Sequence, residues 1–398
     1  MAATGSLRRK NHKGQRRAMQ VSDKSILFFV GDAPFFVSHR LNLVSGAVAH
    51  GYRVTVACPN HPAAIETIRA NGADWAEWQV NRGGTSIFGE AVSLLRAFYI
   101  IRRIRPTLIH AIAIKCILHA GIASKFLDVP IVGAVSGLGY VYTGSGGGVK
   151  GVLRRAINKF MNFGLNRRNA SFIFQNGDDA RMVEYAGLDR VSVYRIGGSG
   201  VDLGKITMRP HPTGAATIVG LPARLLRDKG VYEYIEAARI LHRRGRDARF
   251  LLIGDPDRTN PTSVKPIELD AWVAEGVVEW IPYTADIASA LAALHVVALP
   301  SYREGFPKTL IDAAAAGRAS VTSDVPGCRD AIIEDVTGLL CPAKNSDALA
   351  DAIDQLIRDR ALCISMGIAA RAHAENNFDL DRVTRRHLEI YQERIKAY

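Results

Sequence analysis

Glu304 and Asp312 stand eight residues apart in the stretch SYREGFPKTLIDAAAAG (Ser301–Gly317), beside Gly305 and Pro307. Carboxylates at such a spacing can accept hydrogen bonds from the hydroxyls of a ligand. Arg224 and Lys229, five apart in PARLLRDKG, offer the opposite chemistry: a guanidinium fork and an ammonium point charge able to clamp a diphosphate. Together they describe a ligand both phosphorylated and polyhydroxylated, such as a sugar nucleotide. The plainer alternatives are that Glu304 is a loop charge, that Asp312 merely favours the helix dipole from a first turn, and that Arg224 and Lys229 belong to a solvated loop.

The elements that must hold these residues are readable around them. HVVALP (His295–Pro300) is a short apolar run rich in β-branched residues, which predicts a buried parallel strand; Thr309–Ala316 predicts an Ala-rich helix. Strand, loop and helix N-terminus in that order turn free backbone N–H groups toward the crevice beyond the strand, where open α/β sheets hold anions. The same unit recurs along the chain. SILFFV (Ser25–Val30), a Gly31–Pro34 turn, a helix over Phe35–Tyr52 with Ser38 as a candidate cap, and RVTVAC (Arg53–Cys58) make a βαβ unit. It lacks G-x-G-x-x-G and an acid ending its second strand, which argues against a dinucleotide site. TLIHAIAIK (Thr107–Lys115) predicts a strand carrying His110 and ending in polar groups, and the glycine-rich VSGLGYVYTGSGGG (Val135–Gly148), with Gly137 and Gly139, predicts a surface loop. Asn176, Asp178 and Asp179 read either as lining the cleft or as capping the next helix, with the cap preferred. After a proline-containing linker, strands and helices alternate again from Ala216. The expected fold is α/β, two Rossmann-like doubly wound domains facing across a cleft. Its parts are a basic leader (1–22), a first domain (23–203), a linker (204–214), a second domain (215–377) and a final helix (378–398) that crosses back.

A chain of 398 residues suits two domains, and 48% hydrophobic with 22% charged residues is globular. Of the net charge of +13, the first 17 residues hold six cations (Arg8, Arg9, Lys10, Lys13, Arg16, Arg17) and no acid. That leader has no apolar core, so it is not read as a secretory signal, and Met19 would serve equally as a start. No helix–turn–helix, zinc or RNA-binding pattern follows it, so nucleic acid is not an expected partner. The five cysteines (Cys58, Cys116, Cys328, Cys341, Cys363) are scattered and odd in number, which suits reduced thiols and a cytoplasmic location. No apolar run is long enough to span a membrane. Ile87–Ile104 and Gly151–Arg168 instead mix apolar residues with Arg96, Arg102, Arg103, Arg154, Arg155 and Lys159. They read either as packed helices with basic turns or as elements lying against anionic lipid.

SYREGFPKTLIDAAAAG resembles the E-x7-E signature of the family-4 retaining glycosyltransferases, enzymes of the two-domain GT-B fold, with Asp312 standing for the second Glu. PARLL…DKG resembles their diphosphate-binding segment. FFVSHRL, the H-x4-K of His110 and Lys115, SGLGYVYTG, FIFQNGDD and GSGVDL extend the likeness over nearly the whole chain from about Ser25. They are similar to a bacterial subgroup that builds O-antigens, capsules and lipid-linked glycans. The resemblance implies that Glu304 holds donor-sugar hydroxyls and Asp312 ribose hydroxyls, and that N–H groups of Gly305, Phe306 and Lys308 meet donor phosphate or sugar. It further implies that Arg224 and Lys229 stabilise the departing diphosphate in place of a metal, with UDP-sugar as co-substrate and no cofactor. Many relatives carry His-x-His near the cleft; here Ile112 holds the second position, leaving His110 and Lys115 as catalytic candidates, though His110 could equally be a histidine buried at a strand end. His39 and Arg40, which could equally be helix-surface packing, and Gly137 and Gly139 fall on the acceptor side. The expected activity is transfer of a hexose or N-acetylhexosamine from UDP-sugar to a polyprenyl-diphosphate-linked saccharide on the inner face of the cell membrane. Two readings compete: a sugar-nucleotide epimerase or phosphorylase on the same fold, whose acids and bases cannot be placed, and a sugar-nucleotide-binding protein without turnover.

Overall fold

The computed structural model describes residues 24–80, 87–137 and 148–398; the leader 1–22 and Gly139 lie outside them. In the first half the chain runs β1 (Ser25–Val30), α1 (Ala33–Ala49), β2 (Arg53–Cys58), α2 (Pro62–Ala70), β3 (Asp74–Glu77), α3 (Ile87–Ile104) and β4 (Leu108–Ile112). It continues through α4 (Ile114–Leu127), β5 (Ile131–Val135), α5 (Gly148–Leu165), β6 (Ala170–Phe174), α6 (Gly177–Ala180), α7 (Met182–Tyr185) and β7 (Ser192–Arg195). The strands form one parallel sheet in the order β3-β2-β1-β4-β5-β6-β7. Alternation along the strands explains the two cores. Ile26, Phe28, Leu108 and Ile112 pack toward α1, while Leu27, Phe29, Ile109 and Ala111 pack toward α3, α4 and α5.

The second half repeats the plan: β8 (Thr217–Pro222), α8 (Val231–Arg243), β9 (Ala248–Ile253), α9 (Pro266–Ala274), β10 (Glu279–Ile281), α10 (Ile287–Ala292) and β11 (Val296–Leu299). Then come α11 (Lys308–Ala315), β12 (Ala319–Ser323), α12 (Cys328–Ala331), β13 (Gly338–Cys341), α13 (Ser346–Arg358), α14 (Arg360–Asn377) and α15 (Leu380–Lys396). This sheet too is parallel, ordered β10-β9-β8-β11-β12-β13. Strand order reverses between β1 and β4 in one sheet and between β8 and β11 in the other. Ligands of open α/β sheets sit beyond the strand ends at such reversals, so these two points frame the site.

Several local expectations are corrected. Asp32, not Ser38, caps α1: its Oδ1 accepts from Phe35 N at 2.9 Å, and Pro34 occupies the first turn. Ser38 Oγ turns back onto the Pro34 and Phe35 carbonyls. β4 stops at Ile112, so Lys115 starts a helix and does not end a strand. β3 and β13, both short, and the helices α2 and α14 were not anticipated.

The chain passes between the halves twice, and the crossings pair: Val201 N donates to Phe378 O at 2.8 Å and Leu380 N to Val201 O at 3.0 Å. Beyond the second crossing, α15 packs on α1, where Asn42 Nδ2 donates to Thr384 Oγ1 at 2.7 Å. The linker is pinned to the second half by Arg318. This guanidinium is fully buried and donates to the carbonyls of Arg209, Pro210, Leu291 and Ala292 at 3.0–3.2 Å. Arg318→Ala is expected to cost about 3 kcal/mol in a urea melt, because it strands buried carbonyls; an unchanged midpoint would refute the pin.

Candidate functional site

Ser301, fully buried at the end of β11, donates its hydroxyl to Glu304 Oε1 at 2.8 Å. Lys229 Nζ, arriving from the loop after β8, donates to the same oxygen. Both donors fall on Oε1, which leaves Oε2 to a ligand hydroxyl. Lys229 reaches this point because Gly230 turns the loop at φ 73°, where a Cβ would lie 2.1 Å from the Pro300 carbonyl oxygen. Cys328 lies alongside; burial, and after it the Glu304 carboxylate, pushes its thiol up to about 12, so it is no nucleophile. α11 begins just past Glu304 without a side-chain cap, as the anion-binding reading of its N-terminus requires.

Two expected ligand groups, Arg224 and Asp312, stand otherwise. Arg224 does not join Lys229; it is largely exposed and its Nη1 pairs with Asp257 Oδ2 at 2.9 Å. Asp312 is drawn onto its own helix, where Lys308 Nζ donates to Oδ1 at 2.6 Å, and burial raises the carboxyl's pKa against the pull of that ammonium. The Phe306 ring packs edge-on to Phe378, centroids 5.5 Å apart, and against Gly197 and Gly198, so its side chain belongs to the domain crossing. Only its backbone remains for a ligand.

The first domain meets this loop directly. Asn176 Nδ2 donates to the Gly305 carbonyl at 2.7 Å, while its Oδ1 accepts from Asp179 N, also at 2.7 Å. It is therefore both the cap of α6, the preferred reading, and a bridge across the cleft, which joins the two alternatives in one side chain. A Cβ on Gly305 would lie 2.1 Å from the Ser136 carbonyl oxygen, and Gly137 touches Gly305 from the other side of the same contact. Arg195 pairs with Asp330 at 2.5 Å across the same boundary, and Arg329 lies 3.8 Å from Asp178.

His110 is corrected from the cleft to the core. It is wholly buried in β4, its ring stacks on Phe28 at 5.2 Å, and its Nδ1 bonds the Tyr391 hydroxyl of α15. Arg40 lies in the same pocket, 4% exposed, with no carboxylate partner among the described residues, and burial lowers its pKa to about 10. A guanidinium sealed beneath α15 cannot meet an acceptor phosphate. His39 does remain half-buried on the Lys308 side. Burial first, then Lys308 and Arg40, lower its pKa to about 4, so at neutral pH it offers hydrogen bonds and no charge. Lys115 stands at the N-terminus of α4, paired with Glu90 at 2.7 Å.

The buried histidines set a pH dependence. Burial depresses His387 to about 3 and holds His110 well below 6.5. Below pH 6.5 the unfolded chain takes up protons that the folded chain refuses, so stability falls as pH drops from 6.5 toward 3. The melting temperature is expected to decline over that window, and His387→Leu should flatten the slope; an unaltered slope would contradict the assignment.

Comparison with known proteins places these features. A family model described as glycosyl transferase 4-like matches residues 25–176, and one described as glycosyl transferases group 1 matches residues 216–359. The chain is 29% identical to the N,N'-diacetylbacillosaminyl-diphospho-undecaprenol alpha-1,3-N-acetylgalactosaminyltransferase of Campylobacter jejuni over 77% of its own length and 82% of that protein's. It is 26% identical to the glycogen synthase of Mycobacterium tuberculosis over 89% of each. Among solved structures, Anabaena HepE in complex with UDP and glucose superposes with a TM-score of 0.73 at 20% identity, covering 92% of this chain and 99% of that one. Sucrose-phosphate synthase from Thermosynechococcus elongatus gives 0.72 at 18% identity, covering 94% and 100%. With a glycosyltransferase model on each of its two doubly wound halves and this likeness of fold along almost its full length, the chain belongs to the glycosyltransferases of the GT-B fold.

Proposed function

We propose that the protein is a retaining, metal-independent transferase that moves a hexose or N-acetylhexosamine from a UDP-sugar to a polyprenyl-diphosphate-linked saccharide in bacterial surface-polysaccharide synthesis. The observation that carries this reading is the convergence of Lys229 and Ser301 on Glu304 at the β8/β11 reversal, next to the uncapped start of α11. Glu304 accepts hydroxyls of the donor sugar. Lys229 and the first N–H groups of α11 neutralise the charge that grows on the departing diphosphate, worth most in a water-poor crevice. The acceptor hydroxyl attacks on the face the diphosphate leaves, and no covalent enzyme intermediate forms. The C. jejuni relative's acceptor is a diphospho-undecaprenol saccharide, and HepE binds UDP and UDP-glucose, which supports the donor and acceptor classes.

No helix among the described residues is long and apolar enough to cross a membrane. We place the protein instead against the cytoplasmic face of the membrane through α3, α4 and α5, which share one side of the first sheet. Leu95, Tyr99, Phe126, Phe160 and Phe163 are exposed there, among exposed Arg96, Arg102, Arg103, Arg155 and Lys159. Exposed aromatic and aliphatic groups ringed by cations suit anionic lipid.

The test is UDP release from a panel of UDP-hexoses and UDP-N-acetylhexosamines, with EDTA, with and without polyprenyl-diphosphate saccharides. Acceptor-dependent release from one donor, insensitive to EDTA, is expected. UDP-sugar binding without turnover on any acceptor would overturn the reading. Flotation with phosphatidylglycerol vesicles but not phosphatidylcholine vesicles, lost in Phe160→Ser/Phe163→Ser, tests the membrane face.

A further inference from the structure

We propose that Glu90, gripped by Lys115 and His119, binds the hydroxyls of the acceptor's terminal sugar and so helps to select it. This rests on the transferase reading above. Lys115 Nζ donates to Glu90 Oε1 at 2.7 Å, and His119 Nε2 lies 3.0 Å from Oε2. His119 Nδ1 meets the Lys115 carbonyl at 2.8 Å. A carbonyl only accepts, so Nδ1 carries hydrogen; burial lowers the His119 pKa against the pull of Glu90, so Nε2 donates to the carboxylate only when the imidazole takes up a second proton. The carboxylate of α3 is thus held at Oε1 by the Lys115 ammonium and backed at Oε2 by the His119 ring, both from α4. It nonetheless stays 31% exposed, whereas the His119 side chain behind it is only 5% exposed. Each oxygen keeps lone pairs for further donors. A charged acceptor locked from behind and open in front is already ordered for hydroxyls, so little entropy is lost when they arrive.

Position puts this trio at the cleft. α4 starts immediately after β4, one of the two strands flanking the first sheet's reversal, where ligands of such sheets sit. Ile112 at the end of β4 is paired with Ala134, and two residues beyond Ala134 the Ser136 carbonyl abuts Gly305 of the donor loop. The junction itself is strained. Ala113 joins β4 to α4 at φ 76° and ψ 151°, held by its N–H on the Ala134 carbonyl at 3.0 Å. A residue with a Cβ adopts such a conformation only at an energetic cost. A bridge serving only to join α3 to α4 needs neither this strain nor the opening, since Ala97, Ile101, Ile117 and Ala120 already pack the two helices into one core.

Glu90→Gln and His119→Gln are tested in the full chain with a panel of short-chain polyprenyl-diphosphate hexoses and N-acetylhexosamines. Both variants should raise the acceptor KM tenfold or more, while the UDP-sugar Kd and the slow release of UDP to water stay within twofold of wild type. Glu90→Asp should recover part of the acceptor KM. An unchanged acceptor KM overturns the proposal, as does a parallel fall in hydrolysis and transfer, which marks a purely structural bridge. Failure of the wild type to bind any UDP-sugar, or to use any acceptor in the panel, instead overturns the transferase reading on which it stands.

Discussion

Glu304→Gln is expected to lower kcat/KM for transfer by about 100- to 1,000-fold while the protein stays folded. The amide keeps the shape of the side chain and loses its charge. In the native site that charge is matched by Lys229 in a half-buried pair, with the Glu304 side chain 12% and the Lys229 side chain 24% exposed. Removing it weakens the hold on the sugar hydroxyls and frees the ammonium from its anchor. Lys229→Met removes the other half of the pair, and with it the cation proposed to meet the departing diphosphate, so a loss of similar size is expected. The two variants should separate in binding. Lys229→Met weakens UDP itself, whereas Glu304→Gln leaves UDP nearly unaffected and weakens only the sugar-bearing donor. Because both partners act through Oε1, the double variant should lose much less than the product of the single losses. Titration calorimetry with UDP and UDP-sugar, beside initial rates, reads all three effects. Equal UDP affinity in both variants, or strictly multiplicative losses, would mean that the pair is a fold contact and not part of the transfer machinery.

Glu304 and Lys229, which the structure brings into contact, share one property. Each lies in a strand–loop–helix unit whose pattern is written within about 15 residues: a β-branched run, a glycine turn and a helix start. Those that sequence alone misplaced depend on distant partners. His110 and Arg40 look like cleft residues until α15 returns to cover them, and the contact that settles the matter, His110 with Tyr391, spans 281 positions. Arg224 is turned aside by Asp257. No periodicity encodes such pairings. Ser301 was passed over for another reason: a small polar residue beside a turn reads first as a cap. Asn176, read as either cap or cleft residue, is both. Among the strands, β3 (DWAE) escaped because an edge strand needs no continuous apolar run, and its residues are half-buried or exposed. Doubly wound topology survived these errors because it rests on alternation of whole elements, not on single residues.

Gly305→Ala carries the second large expected effect, and it tests how the halves cooperate. Glycine in this loop invites the explanation that a phosphate must approach its backbone. The structure adds a second demand, since the Cβ of any other residue would lie 2.1 Å from the Ser136 carbonyl oxygen, far inside contact distance. The oxygen is a backbone atom and the Cβ is fixed rigidly to its own backbone, so neither can rotate away. Relief comes only by separating the domains, which also breaks the bond from Asn176 to the Gly305 carbonyl. Each half keeps its own core, so the variant should melt near the wild-type temperature and still bind UDP through the second domain. Transfer should nevertheless fall at least 100-fold, because near-attack geometry tolerates displacements of only about 1 Å. Small-angle scattering should report a larger radius of gyration for the variant. Asn176→Ala, which removes the bridge without adding a clash, should show the same pattern more weakly. If Gly305→Ala instead lost UDP binding and kept its wild-type dimensions, the glycine would serve the nucleotide alone, and the contact with Ser136 would play no part in bringing acceptor and donor together.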